Sequence, residues 1–265
     1  MGKPIISLFG SSVRPSLWMR LYNTLRGTQT PFELIFAGEV IPDYEMPKNM
    51  RFIWTAVKPA QCWEIGARYA EGELLMSVED DLVFGERVLD NAYKLFISKA
   101  SDKDMVSCRL FYPEGEIPEP MYHLDTKTIK GPDGQPQFTY AKDSPVLPFC
   151  GLMKTDLWRA IGGIDRRFIA LSWEADIAMR VFELGDKTIR SENAIDTAVE
   201  EAHPGLRVLL GQKLLLQYGS PHDRPLLDSF WMQDGRIAKN RLAPVEPFSD
   251  TDILLTSQGN KGRWV

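Results

Sequence analysis

The first 110 residues of this 265-residue chain alternate short apolar runs with segments of helical spacing. No other feature constrains the fold as much. Residues 4–9 (PIISLF) read as a buried strand, followed by a Gly-Ser-Ser turn at residues 10–12. From residue 15 to 25, Leu17, Leu21 and Leu25 share one helical face. Strands are expected at 32–37, 51–54, 74–78 and 105–111. Helices are expected at 60–70, stopped by Gly72, and at 88–97, where Val88, Leu89, Ala92, Leu95 and Phe96 form a stripe. Such alternation predicts an α/β fold with a mainly parallel central sheet flanked by helices. In such folds ligands sit at the carboxyl ends of the strands.

One of those strands runs into three consecutive carboxylates. In LLMSVEDDLVF, residues 74–84, Glu79, Asp80 and Asp81 follow the apolar run directly. Adjacent acids at a strand end repel one another unless a cation or solvent relieves them. Magnesium and manganese favour oxygen ligands, commonly one or two carboxylates completed by substrate phosphates and water. A cation so held neutralises charge on a leaving diphosphate. The plainer alternative is a solvated acidic turn.

Beyond the first half, residues 112–145 are rich in Pro and Gly and show no periodicity, which predicts a long loop. Order is expected again at 146–153, then a short helix at 156–161 with Thr155 as its cap and Gly162-Gly163 as its stop. A second helix is expected at 173–184, with Ser172 as N-cap. That places Glu174 in a first turn, where the helix dipole favours negative charge. A carboxylate there suits a general base facing a cleft, or it serves only as a terminal charge. Asp176 and Arg180 stand four apart, the spacing of a helical salt bridge. Another apolar segment covers 206–216, and the last 45 residues read as irregular.

Composition narrows the partners. A formal net charge of −5 disfavours nucleic acid, which calls for a basic face. Cys62, Cys108 and Cys150 are odd in number and apolar in setting, so they read as buried free thiols in a reducing compartment. No window approaches the roughly 18 apolar residues of a membrane span. Cytoplasmic placement is expected, with peripheral attachment to a membrane left open. Neither a Walker A nor a G-x-G-x-x-G pattern follows the first strand, which disfavours P-loop and dinucleotide cofactors.

In this order, the pieces resemble the family-2 glycosyltransferases of the GT-A fold, over about residues 4–205. Residues 4–9, then Arg14 through Gln29-Thr30 and residues 32–37, resemble that family's first strand, helix and second strand. Ala70-Glu71-Gly72-Glu73-Leu74 resembles the segment leading into its DXD-type metal motif, here Glu79-Asp80-Asp81. The stretch from Phe149-Cys150-Gly151 to Gly162-Gly163-Ile164-Asp165 resembles the acceptor-side segment. Trp173-Glu174-Ala175-Asp176-Ile177 with Arg180 resembles the ED-x-D-L-x-x-R element. There are departures. Glu39 stands where the family often has Asp, Trp63-Glu64 replaces Arg-Asn, and Ala175 replaces the second acid of the ED pair.

The resemblance implies a hexosyltransferase-type enzyme. It would move a sugar from a nucleotide-diphosphate donor, UDP-sugar foremost, to a hydroxyl of a glycan or other acceptor. It implies Glu174 as base, Asp81 as metal ligand for Mn2+ or Mg2+, and His203, or else His222, near the metal. Gly10, Ser11, Arg14, Glu39 and Asp80 would contact the nucleotide or donor. The nearest family members invert the anomeric centre. Residues 1–220 would form the catalytic domain: a donor half at 1–110, a variable loop at 112–145 and a base half at 146–205. Residues 221–265 would be an extension or lid. Nucleotidyl transfer and an inactive GT-A-like binding module are the alternatives.

Overall fold

A computed structural model describes residues 2–112, 115–116, 124, 127–130, 136–139, 145–146, 148–184, 188–190, 197–200 and 221–257. The strands are β1 (Ile6–Ser11), β2 (Phe32–Gly38), β3 (Met50–Trp54), β4 (Leu74–Ser77), β5 (Leu82–Phe84) and β6 (Met105–Tyr112). They continue with β7 (Gly115–Glu116), β8 (Lys127–Lys130), β9 (Pro136–Thr139), β10 (Phe149–Lys154), β11 (Thr188–Arg190), β12 (Thr197–Glu200), β13 (Met232–Gln233) and β14 (Arg236–Ile237). The helices are α1 (Pro15–Leu25), α2 (Pro59–Tyr69), α3 (Val88–Lys99), α4 (Thr155–Ala160), α5 (Trp173–Glu183), α6 (Arg224–Trp231) and α7 (Asp250–Ser257).

The main sheet runs β3-β2-β1-β4-β10-β6-β12-β5. β1, β2, β3 and β4 pair in parallel, whereas β10 enters antiparallel between β4 and β6. Helices cover both faces, and the inner strands show why. In β1, β2 and β4, Ile6, Leu8, Leu34, Phe36, Leu74 and Met76 pack on one side with Trp18 and Leu21 of α1 and Val88 and Phe96 of α3. Their alternates Phe9, Ile35, Ala37 and Leu75 pack on the other with α2, α4, α5 and α6. Period-two side chains that are apolar on both faces are what a doubly covered strand needs. The second side is dense in indole. Phe9 meets Trp63 and Trp158 edge-on at 5.9 and 5.3 Å, and Trp63 lies 5.0 Å from Trp173. Cys62, Cys108 and Cys150 are buried thiols.

Several local expectations change. Gly10 and Ser11 belong to β1 and not to a turn. Thr155 is the first residue of α4 and not its cap; its hydroxyl donates to the Gly72 carbonyl at 2.8 Å. Ser172 precedes α5, but its side chain makes no capping bond, and its backbone is left-handed (φ 62°). The 112–145 stretch contains β7, β8 and β9. The C-terminal 45 residues, read as irregular, contain α6, the β13–β14 hairpin and α7. Leu227, Phe230, Trp231, Phe248 and Ile253 from this segment sit in the core with Trp63 and Trp173. The 206–216 segment lies outside the described residues. Among the described residues no helix is long and apolar enough to cross a membrane.

Candidate functional site

The acids are positioned by how closely β4 lies against β1. The Val78 amide donates to the Phe9 carbonyl at 2.9 Å, carrying the pairing past the end of β4. A Cβ at Gly10 would fall 2.4 Å from the Val78 carbonyl oxygen, so only glycine permits this approach. Asp80 and Asp81 are then turned inward, 3% and 0% exposed. Both meet Arg14 from the β1–α1 connection. Arg14 pairs with Asp80 through Nη2 and donates from Nε to its Oδ2 at 3.1 Å, and Nη2 is also 3.1 Å from Asp81 Oδ2. The Ser12 hydroxyl donates to Asp80 and accepts from Trp18 Nε1 at 2.6 Å. Arg20 donates to the Asp81 carbonyl at 3.0 Å. Burial pushes the Asp80 carboxyl above its ordinary value, with Arg14 and Ser12 pulling the other way. Burial also opposes charge on Arg14, yet Asp80 and Asp81 together carry its pKa upward.

Glu79 takes the other side of the chain. With Ser77 and Val78 it lines a cavity of about 380 Å³ that is also lined by Leu171, Ser172, Glu174 and Ala175 at the start of α5. Trp63, Leu82, Pro148, Met179, Leu227 and Trp231 are among the remaining walls. Two of the sequence's candidate acid elements thus share one cavity, but the acid that the triplet contributes is Glu79. Glu174 is half-buried. Burial, reinforced by the negative charge of Asp223, pushes its carboxyl up to about 7.

The loop entering α5 is held from below. Asp223 accepts from the backbone amides of Ile169, Ala170 and Leu171 at 2.9, 2.8 and 2.8 Å. Asp176 pairs with Arg180 at 2.9 Å, as its spacing suggested, and also with Arg241 Nε at 3.0 Å and Trp231 Nε1 at 2.8 Å. Arg180 in turn donates to the Gly163 carbonyl at 2.7 Å. Asp165 meets Arg167 at 2.7 Å and Arg241 at 2.9 Å; burial works against its charge, but these hydrogen bonds hold its carboxyl down at about 2. Glu64 is a structural latch. Buried in α2, it accepts from Arg68 at 2.6 Å, Trp158 Nε1 at 3.1 Å and the Ile164 amide at 3.0 Å. A Cβ at Gly163, where φ is +64°, would lie 2.5 Å from Glu64 Oε2.

The other expected contacts are spread along the strand ends. Gly10 lies within β1, against the Val78 carbonyl. Ser11 ends β1 and bonds the Cys62 thiol, which burial pushes up to about 12 and which also feels the charge of Glu39. Glu39 itself is exposed just past β2. His203 lies outside the described residues, and His222 Nδ1 is 2.8 Å from Asp223. Asp223 and Arg241 carried no sequence signal. Both lie in the segment without periodicity, and each acts on residues at least 50 positions away.

A divalent cation fits the chemistry of the acidic end. The donors are carboxylates, and a cation already stands against two of them: the Arg14 guanidinium. Among the described residues no three His, Cys, Asp or Glu side chains converge as a ligand set. The protein would therefore supply one or two ligands, as sites completed by substrate phosphates do, and Arg14 would have to turn aside.

No family model matches the chain, and no curated protein matches it in sequence. Solved structures do match in shape. Staphylococcus aureus TarS residues 1–349 superposes with a TM-score of 0.53 at 14% identity, covering 74% of this chain and 60% of that one. The same TarS fragment in complex with UDP-GlcNAc gives 0.52 at 13% identity, over 76% of this chain and 59% of that one. GalNAc-T7 with UDP, GalNAc and Mn2+ gives 0.52 at 10% identity, over 76% and 44%. This chain thus spans no more than about 60% of the length of these structures. These likenesses, with the sheet order and the doubly covered core, make the fold the GT-A type.

Proposed function

We propose that the protein is a glycosyltransferase that moves a sugar from a nucleotide-diphosphate donor to an acceptor hydroxyl. One observation carries this reading. In a GT-A fold, a single cavity is lined both by an acid of the β4 end, Glu79, and by Glu174, whose carboxyl titrates near neutrality. Glu174 takes the proton of the acceptor hydroxyl, the oxygen attacks the anomeric carbon, and the bond to the diphosphate breaks in the same displacement. One displacement inverts the anomeric centre. The low-polarity walls keep water from competing and strengthen the electrostatics within.

The donor is a UDP-sugar; TarS with UDP-GlcNAc and GalNAc-T7 with UDP offer the analogy. Its nucleotide lies along the strand ends carrying Ser11, Arg14 and Glu39. Mn2+ or Mg2+ would be held by Asp81, with Asp80 or Glu79 beside it, and His203 is a further proposed neighbour. Bound, it supplies positive charge against the leaving diphosphate. Residues 1–110 hold the donor, 146–205 carry the base, and the segment beyond 220 faces the acceptor.

The test is thermal unfolding with UDP, with and without Mn2+. UDP with Mn2+ should raise Tm as mass action requires, by an amount that grows with ligand concentration. Asp81→Ala should lose this rise. A panel of UDP, GDP and dTDP giving no shift with either ion sinks the proposal.

A further inference from the structure

The cavity's walls are unevenly divided between polar and apolar. Its polar side chains at the reacting end come from the close of β4 and the start of α5. The wall contributed by the C-terminal segment is Leu227 and Trp231 of α6, Met232 of β13 and Ile237 of β14, and α6 packs on α5, the helix that bears Glu174. The two charged residues that α6 brings to the cavity, Arg224 and Asp228, pair with each other at 3.6 Å, with side chains 71% and 50% exposed. They therefore form a rim. The Trp231 indole N–H is already given to Asp176 at 2.8 Å, so this ring offers a face and no donor.

We infer that the hydroxyl acceptor carries an apolar aryl or alkyl body, which lies on the wall built by α6 and the β13–β14 hairpin. The inference rests on the transferase reading of the same cavity. A sugar bears a hydroxyl on almost every ring carbon, and each one placed on this wall loses water without gaining a partner. That costs about tenfold in affinity or more per group. An alkyl or aryl group gains there instead, by about fourfold per methylene buried. The Met232 thioether adapts to either shape. Only the hydroxyl must reach Glu174.

The full chain should be titrated with butanol, hexanol, octanol, glycerol and glucose, with and without UDP and Mn2+. Tryptophan fluorescence and thermal unfolding are the readouts, since Trp63 and Trp231 line the cavity. Affinity should rise about fourfold per methylene along the alcohols. Glucose and glycerol should give no response, and UDP should not compete. Met232→Glu and Ile237→Ser, both at the accessible edge, should each weaken octanol at least tenfold while leaving the UDP response intact. The inference is overturned by a flat alcohol series, by glucose matching octanol, by competition with UDP, or by octanol binding that neither variant changes. An octanol response without a UDP response keeps the apolar site and removes the transferase reading. A UDP response without an octanol response removes the apolar acceptor alone.

Discussion

Glu174 shows how environment moves the pKa of an ordinary carboxylate. Its carboxyl moves from its ordinary 4.5 to about 7 because the cavity withholds water and Asp223 adds negative charge. Two consequences differ in sign. In the proposed reaction the ionised form takes the proton, so kcat/KM should rise about tenfold per pH unit below 7 and level off above it. Glu174→Gln should lower turnover by about 10²–10⁴-fold and leave UDP binding unchanged. Stability runs the other way. A carboxyl whose folded pKa is raised stabilises the fold at low pH, and that contribution is lost as pH climbs from 4.5 toward 7. Glu174→Gln, neutral throughout, should therefore be more stable than the parent at pH 8, by about 2 kcal/mol after allowance for solvent in the cavity. Chemical denaturation at pH 5 and pH 8 checks this; an equal effect at both would remove the raised pKa.

At the scale of elements, the site depends on two close fits. The first is β1 against β4. Gly10→Ala places a Cβ 2.4 Å from the Val78 carbonyl, so the acidic end must move or the strands part. A loss of about 1–3 kcal/mol is expected, together with a weaker UDP response, measured by denaturant midpoint and by titration. The second is α5 on its neighbours. Asp176→Ala would leave Arg180 and Arg241, each about 5% exposed, facing each other without their shared carboxylate. Breaking one side of such a buried pair costs about 3–5 kcal/mol. Tm should fall sharply; a near-normal Tm would show that water enters the network.

For the whole molecule, the C-terminal segment is part of the main hydrophobic structure. Phe230 lies in the core, and the guanidinium groups of Arg167 and Arg241 stand 4.2 and 4.0 Å from its ring centroid. A chain ended at residue 220 would lose Leu227, Phe230, Trp231, Phe248 and Ile253 from beside Trp63 and Trp173. Each large buried side chain is worth about 2–5 kcal/mol, against a total stability of about 5–15 kcal/mol. Such a truncation should show no cooperative thermal transition and no near-ultraviolet circular dichroism. A folded, UDP-binding fragment would show instead that the segment is dispensable for folding.

How far the sequence could be read follows from the range of the forces involved. The strand–helix alternation, the double-sided apolar strands, the acids at the end of β4 and the place of Glu174 in the first turn of α5 are local, written in spacing and side-chain type. Spacing also gave the Asp176–Arg180 pair. Tertiary structure alone decided that Arg14, 66 positions from Asp80, would meet the two inner acids and that Glu79 would be the one facing the cavity. It also decided that Asp223 would hold the loop before α5, that Glu64 would latch α2 to the Ile164 amide, and that an apparently irregular tail would wall the cavity. A pKa near 7 for Glu174 belongs to that second group, because desolvation is set by what packs around a carboxylate and not by the residues beside it in the chain.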